Sequence, residues 1–209
     1  MKGSIIIVGY SGHGVCVAES CIKSGIKLHG YAERFELGNN PLSLNYLGFE
    51  HDSSFKSAYS GFSVIIGIGD NKIRGEVANH LKSIGLTLVT QIDSSANVSS
   101  LVEIGVGAFL SRNCVVNSET KIGDNVIINT GAIIEHQCII DECSHIAPAA
   151  TICGNVNIGN HSMIGAGSVI TPGIKVGNNS IIGAGSVIIK DVPDHEFWAG
   201  NPAKHVRNL

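Results

Sequence analysis

The chain has 209 residues, of which 15% are charged and 44% hydrophobic, which suits one or two folded domains and excludes a disordered chain. Its formal charge of −3 shows no basic excess, so nucleic acid is not expected as a partner. No stretch approaches the roughly 20 apolar residues of a membrane span, and no signal peptide is recognisable. Six scattered cysteines without CxxC or zinc spacing predict reduced thiols, a cytoplasmic protein and no metal centre.

The first part of the chain alternates short apolar runs with helical patterns. This alternation is typical of a small parallel sheet with right-handed crossovers, so we predict an α/β, Rossmann-like domain over residues 1–90. The predicted elements are, in chain order, a strand at 4–8, a glycine-rich loop at 9–14, a helix at 15–24, a strand at 27–31, a mostly irregular segment at 38–61, a strand at 62–68, a helix of about 14 residues ending at Gly85, and a strand at 86–92.

The rest of the chain carries a repeat of six residues. From Ile92 to Ile188, every sixth residue is Ile, Val or Leu. An α-helix would place these residues on different faces, and an ordinary β-strand would show an apolar residue at every second position. A period of six predicts a parallel β-helix of hexapeptide repeats over residues 91–209, with three hexads in each triangular coil of about 18 residues. We call the aliphatic residues at every sixth position from Ile92 to Ile188 the anchors. The anchors should form an internal aliphatic column, and the non-repeating tail should cover one end of it.

One hexad occurs twice. The sequence Gly-Ala-Gly-Ser-Val-Ile at 165–170 recurs at 183–188, one coil later, so the two copies should stack into a strip of small side chains. A long, thin ligand could lie against this strip. The same residues also suit tight corners without any ligand, and the pattern alone does not separate the two interpretations.

These features together resemble one enzyme family. The motifs are Val-Gly-Tyr-Ser-Gly-His-Gly at 8–14, Gly-Ile-Gly-Asp-Asn-Lys-Ile-Arg at 67–74, Asn-Thr at 129–130, Ile-Glu-His-Gln-Cys at 134–138, Ser-His at 144–145 and Gly-Asn-Pro-Ala-Lys at 200–204. With the hexads, they resemble the family of sialic acid O-acetyltransferases and nucleotide-amino-sugar N-acetyltransferases. The resemblance implies a left-handed coil, a homotrimer, and acetyl-CoA bound in the groove between neighbouring subunits.

The resemblance also implies roles for individual residues of the repeat domain. His136 matches the general base, which takes a proton from the attacking amine or hydroxyl. His145, Ala166 and Ala184 match acetyl-CoA-binding positions, with an N–H of His145 near the thioester carbonyl, and Asn129 matches a position that orients the acceptor.

The residue after the proposed base departs from the family pattern. The sugar N-acetyltransferases usually carry an acidic residue there, whereas this chain has Gln137. A glutamine can orient the imidazole by a hydrogen bond but supplies no charge. Either Glu135 or another carboxylate replaces the missing acid, or the base is weaker, so the catalytic set consists of His136, Gln137 and Glu135.

The glycine-rich loop of the first domain is a candidate nucleotide site. Glycines between a strand and a helix permit close backbone approach, and the N-terminus of a helix favours phosphate. The pattern GxxGxG is not the dinucleotide fingerprint. The resemblance implies that the nucleotide of the acceptor sugar is bound by Ser11, Gly12, His13, Glu33, Arg34 and Gly69. Where this chain has Glu33 and Arg34, the UDP-sugar branch has two aspartates, so UDP, dTDP and GDP all stay open.

These observations predict an acetyl-CoA-dependent N-acetyltransferase that acts on a nucleotide-linked amino-dideoxy sugar for surface glycan biosynthesis. The main alternative is O-acetylation of sialic acid or a related sugar. A hexapeptide zinc hydratase would need a histidine cluster that the sequence does not provide. A non-catalytic scaffold with a degenerate site has only Gln137 in its favour.

Overall fold

The computed structural model describes residues 5–209, so Ser4, the first residue of the first predicted strand, lies outside the described residues. The chain divides into two compact units between Ser94 and Ser95, four residues beyond the boundary drawn from the sequence. In the described part of the chain, no helix has both the length and the apolar character that crossing a membrane requires.

The first unit contains a parallel four-stranded sheet, whose strands lie in the order β2 (Leu28–Ala32), β1 (Ile5–Val8), β3 (Ser63–Ile66) and β4 (Thr87–Leu88). The chain adds β2 on one side of β1 and then crosses to β3 on the other side, so the carboxyl end of β1 is a topological switch point. The elements of this unit are β1 (Ile5–Val8), α1 (Gly12–Lys23), β2 (Leu28–Ala32), α2 (Phe55–Ala58), β3 (Ser63–Ile66), α3 (Asn71–Ser83), β4 (Thr87–Leu88) and β5 (Gln91–Ile92).

The largest errors in the predicted elements of this unit concern the first helix and the last strand. Helix α1 begins at Gly12 rather than at residue 15, because left-handed Gly9 (φ 83°) turns the chain directly after β1. The predicted strand at 86–92 is two short strands, β4 and β5. Gln91, the first residue of β5, has a buried side chain that donates hydrogen bonds to the hydroxyls of Ser20 and Ser24, both 3.1 Å away.

The second unit is the parallel β-helix expected from the hexads, and it is left-handed, as the family resemblance implied. Strands of successive coils pair in parallel, 18 residues apart, as Ile122 does with Ile140. Its short strands are β6 (Asn97–Val98), β7 (Glu103–Ile104), β8 (Phe109–Leu110), β9 (Val115–Val116), β10 (Lys121–Ile122), β11 (Ile127–Ile128), β12 (Ile133–Ile134), β13 (Ile139–Ile140), β14 (His145–Ile146), β15 (Thr151–Ile152), β16 (Asn157–Ile158), β17 (Met163–Ile164), β18 (Val169–Ile170), β19 (Lys175–Val176), β20 (Ile181–Ile182) and β21 (Val187–Ile188), followed by β22 (Glu196–Gly200) and β23 (Ala203–Asn208).

The anchors form the predicted aliphatic column. Every anchor from Leu110 to Ile188 is buried, whereas Ile92, at the start of the series, is 40% exposed and belongs to the first unit. The tail covers the far end of the column, as predicted: β22 pairs with β20, and Trp198, which is 6% exposed, lies beside Ile182 in that register. Strand β23 then folds back antiparallel onto β22.

Candidate active site

The β-helix is a triangular prism whose three edges are columns of two-residue turns. The histidine edge consists of turns 118–119, 136–137, 154–155 and 172–173, the alanine edge of turns 130–131, 148–149, 166–167 and 184–185, and the third edge of turns 124–125, 142–143, 160–161 and 178–179. The second residue of each of these turns has a left-handed backbone, with φ between 53° and 76°. Because all the turns share one geometry, equivalent residues of successive coils lie above one another.

His136 is exposed on the histidine edge, two residues after the buried anchor Ile134. Its ring lies over Gly154, the equivalent residue of the next coil. A Cβ atom on Gly154 would be 2.6 Å from Cε1 and 2.7 Å from Nε2 of His136. The same turn position elsewhere holds Pro148 and Ala166, so the backbone accepts a side chain there. Glycine at 154 is therefore needed for the imidazole and not for the turn.

Gln137 connects His136 to a carboxylate of the preceding coil. The imidazole Nδ1 lies 3.3 Å from Oε1 of Gln137, and Nε2 of Gln137 donates a hydrogen bond of 2.9 Å to Oε2 of Glu119. Glu119 precedes Gln137 by 18 residues and has the same left-handed backbone, with φ of 60° against 59°. Glu119 is not among the predicted site residues, although counting back one coil of 18 residues from Gln137 leads to it.

Glu135 is directed away from this group. Its Oε2 accepts a hydrogen bond of 3.0 Å from Nδ2 of Asn117, and its backbone carbonyl accepts one of 3.0 Å from the Thr120 hydroxyl. Of the two carboxylates near Gln137, Glu119 is therefore the one in contact with it. A catalytic role for Glu135 stays a prediction.

The alanine edge carries the remaining predicted residues of the repeat domain. Ala166 and Ala184 are exposed on successive coils, and the backbone N–H of Gly185 donates to the carbonyl of Ala166 at 2.8 Å. Asn129, at the start of a turn of this edge, donates from Nδ2 to Nε2 of His145 at 3.0 Å. The predicted strip of small residues is thus present and open along this edge.

The ring nitrogens of His145 do not face solvent. Oδ1 of Asn129 accepts the backbone N–H of Thr130 at 2.7 Å, which turns Nδ2 toward the ring and makes Nε2 of His145 the acceptor. The ring proton is then on Nδ1, which is buried, and His145 as a whole is 8% exposed. The second hydrogen of the Asn129 amide is not used in this contact. Asn129 is therefore better placed than His145 to donate to a ligand.

A single β-helix does not bring these two sets of residues together. Residues of the histidine edge follow the strands of the sheet β21-β18-β15-β12-β9-β6, whereas residues of the alanine edge precede them. The two edges therefore lie on opposite sides of that sheet. The proposed base and the predicted acetyl-CoA residues are separated by the width of one face of the prism.

In the first unit, the predicted nucleotide residues lie at the carboxyl ends of β1, β2 and β3. Ser11, Gly12 and His13 follow β1, and a Cβ atom on Gly69 would lie 3.8 Å from Cβ and Cγ of His13, so the loops after β1 and β3 are adjacent. A Cβ on Gly12 would meet nothing within 4 Å, so this glycine faces open space. This edge of a parallel sheet, at its switch point, is where α/β proteins bind ligands.

His13 is held neutral by its surroundings. Burial, and then the charge of Arg74, lower the pKa of His13 to about 4. Arg74 is 1% exposed and donates to the carbonyls of Ile68 (3.2 Å) and Gly69 (2.9 Å), so it holds the loop after β3. Sequence reasoning did not assign Arg74 a role, because a buried arginine cannot be recognised from its position in an amphipathic helix.

Glu33 and Arg34 follow β2 and differ in their surroundings. Oε2 of Glu33 accepts the backbone N–H of Tyr10 at 3.1 Å, and Oε1 accepts that of Arg34 at 3.0 Å. Glu33 therefore fixes the glycine-rich loop after β1. The Arg34 side chain is exposed and lies 5.5 Å from the ring centre of Phe35, so a cation and an aromatic face are both presented beside the loop.

Residues 5–209 contain no group of three or more His, Cys, Asp or Glu side chains that could hold a metal ion. The six cysteines are all free thiols.

Comparisons with known proteins agree with this architecture. The family described as PglD N-terminal domain matches residues 4–81, and the family described as Bacterial transferase hexapeptide (six repeats) matches residues 155–190. PerB from Caulobacter crescentus, solved with CoA and GDP-perosamine, is 31% identical, with 99% of each chain covered and a TM-score of 0.91. The acetyltransferase domain of PglB from Neisseria gonorrhoeae, solved with acetyl coenzyme A, is 31% identical, with 99% of this chain and 100% of that one covered and a TM-score of 0.93.

A third structure is a histidine-to-asparagine mutant of perosamine N-acetyltransferase from Caulobacter crescentus with CoA and GDP-perosamine. It is 30% identical, with 100% of this chain and 99% of that chain covered and a TM-score of 0.93. The fold and the arrangement of these residues define an acyltransferase of the hexapeptide-repeat class. Within that class, the chain belongs to the nucleotide-amino-sugar N-acetyltransferase family.

Proposed function

We propose that this enzyme transfers the acetyl group of acetyl-CoA to the amino group of a nucleotide-linked amino sugar. The observation that carries the proposal is the coexistence of two sites in one chain. The first unit has an open glycine-rich loop at a sheet switch point, and the β-helix presents an exposed imidazole together with a strip of small residues. The complexes of relatives with CoA and GDP-perosamine support this assignment.

The first unit binds the nucleotide of the acceptor. Ser11 and Gly12 stand at the N-terminus of α1, where backbone N–H groups and the helix dipole favour phosphate. His13 is neutral at pH 7, so it serves as a hydrogen-bonding group there and not as a cation. The exposed Arg34 is available to bind the nucleobase or the phosphates. The substrate panel described below identifies the nucleobase.

His136 acts as the general base. Its Nε2 accepts a proton from the amino group while the nitrogen attacks the thioester carbonyl, so that a C–N bond forms. The tetrahedral intermediate then collapses, the C–S bond breaks, and CoA leaves as a thiol after receiving the proton from the imidazolium. The products are the acetamido sugar and free CoA, and the imidazole returns to its neutral form.

The alanine edge binds acetyl-CoA. Ala166 and Ala184 leave room for an extended ligand to approach the backbone, and Asn129, held by His145, directs its second amide hydrogen to the thioester carbonyl or to the acceptor. This assignment gives His145 a positioning role through Asn129. The role implied by the resemblance, direct contact of an N–H of His145 with the carbonyl, needs a rearrangement that exposes Nδ1.

The working enzyme is a homotrimer in this proposal. The face between the histidine and alanine edges presents a row of residues to the outside that is apolar except for Thr151: Val115, Ile133, Thr151, Val169 and Val187. The face between the histidine edge and the third edge includes the charged residues Glu103, Lys121 and Lys175. Closed threefold symmetry that buries the apolar face places the histidine edge of each copy against the alanine edge of the next. Base and acetyl donor then meet between copies.

The test is a substrate panel read by thiol release. Purified enzyme is given acetyl-CoA with UDP-, dTDP- or GDP-linked amino sugars, and in a parallel arm with free sialic acid. We expect release with a nucleotide-linked amino sugar and a loss of about a hundredfold or more in kcat for His136→Ala. His205→Ala, an exposed histidine on β23, is the control. Release with free sialic acid alone would establish O-acetylation instead.

The proposed place of this reaction is the cytoplasm. Acetyl-CoA and nucleotide sugars are substrates available there, and the free thiols suit a reducing compartment.

A further inference from the structure

Gln137 determines which nitrogen of His136 carries the proton. The carboxylate of Glu119 can only accept hydrogen bonds, so the amide of Gln137 must turn its NH₂ group toward it. The carbonyl oxygen of the same amide then faces Nδ1 of His136, and a carbonyl can only accept. The proton must therefore be on Nδ1, and the lone pair is on Nε2, which is the form that a general base needs.

The geometry of the coil maintains this chain of contacts. Glu119 and Gln137 occupy the same left-handed turn position in successive coils, so their side chains leave the histidine edge in parallel. The ring of His136 is seated on Gly154, where any Cβ would push it away. The other titratable groups nearby are engaged elsewhere: Glu135 with Asn117, and the thiol of Cys138 with the backbone carbonyls of His136 and Cys153.

We propose that Glu119, acting through the Gln137 amide, is a positioning residue that sets the tautomer and orientation of His136. Gly154 contributes by leaving space for the imidazole ring, which a Cβ atom at this position would displace. This proposal rests on the proposed function of His136. The carboxylate that the family carries directly after its base is here one coil earlier, and it reaches the imidazole through a neutral amide. A glutamine after the base is therefore compatible with a fully active site.

The first test does not depend on any substrate. Long-range ¹H–¹⁵N correlation spectra of ¹⁵N-histidine-labelled enzyme at pH 8 report the tautomer of each of the nine histidines, with His136 assigned by its loss in His136→Asn. We expect the Nδ1–H tautomer in the wild type and a mixture of tautomers in Glu119→Gln. Glu142→Gln, an exposed glutamate on the third edge, should leave the spectrum unchanged. An unchanged His136 signal in Glu119→Gln would overturn the proposal.

The second test measures kinetics with a GDP-linked amino sugar as the acceptor. We expect Glu119→Gln to lower kcat about tenfold with little change in the KM for acetyl-CoA, Glu119→Asp to restore part of the loss, and Glu142→Gln to behave as wild type. Lower activity with an unchanged His136 tautomer would indicate a structural role only.

Gly154→Ala provides an independent variant. The turn accepts alanine, as position 166 shows, so the melting temperature should be unchanged while kcat falls, because the imidazole is displaced. A kcat of Gly154→Ala equal to that of the wild type would refute the role of Gly154 in positioning the imidazole. A wild type that acetylates no acceptor in the panel, but shows the expected tautomer change in Glu119→Gln, would count against the proposed function and leave the contact chain standing.

Discussion

The position of His136 on one edge and of Ala166 on another makes a strong prediction about mixed assemblies. Two variants are prepared: His136→Ala, which removes the base, and Ala166→Trp, which fills the strip of small residues. Each should be inactive as a homotrimer. When both are co-expressed with different affinity tags, tandem purification yields only trimers that contain at least one copy of each variant.

The expected activity follows from the geometry. In the proposed ring of three copies, each site would pair the histidine edge of one copy with the alanine edge of the next. Any mixed ring, whether it contains one or two copies of a given variant, has a single junction at which an intact His136 meets an intact Ala166. The mixed trimers should therefore retain about one third of the wild-type kcat per trimer, with KM values unchanged at the surviving site.

The assay measures thiol release at saturating acetyl-CoA. Mass spectrometry of the intact assembly gives the composition and amount of the mixed trimers. Glu142→Trp, on the third edge, serves as the matched control for a bulky edge residue and should remain active as a homotrimer. If base and acetyl donor met within one copy, every copy of a mixed trimer would carry a defect. Activity no higher than that of the two homotrimers would then refute the composite site.

Three further outcomes are expected. Folding lowers the pKa of His13 from 6.5 to about 4, so between these pH values the unfolded protein binds a proton that the folded protein does not. The free energy of unfolding should therefore fall by no more than about 3 kcal/mol as the pH drops from 6.5 to 4. In urea titrations, His13→Gln should reduce this loss and His205→Gln should not. Trp198→Ala should open the end of the aliphatic column and lower the free energy of unfolding by about 3–5 kcal/mol in the same assay. Arg74→Met should cost about 2–3 kcal/mol, because two loop carbonyls lose a charged donor, and a wild-type stability would show that water replaces it.

Most of the fold could be predicted from the sequence because its determinants are local or periodic. A row of aliphatic residues at every sixth position can be buried together only in a parallel β-helix, and the anchors from Leu110 to Ile188 are buried in this way. The strand and helix pattern of the first unit also predicted the order of elements. Boundaries were less predictable where contacts distant in sequence are made, as at Gln91, whose side chain bonds to Ser20 of α1 and to Ser24, just beyond that helix.

The sequence by itself determined the prism, its column and the exposure of His136, since each depends only on the hexad register. The partners of that imidazole were decided in the tertiary structure alone. The 18-residue period places Glu119 and Gly154 one coil away from the turn of His136 but does not say whether they contact it. These contacts depend on side-chain conformations and on the packing of one coil against the next, which the period does not report.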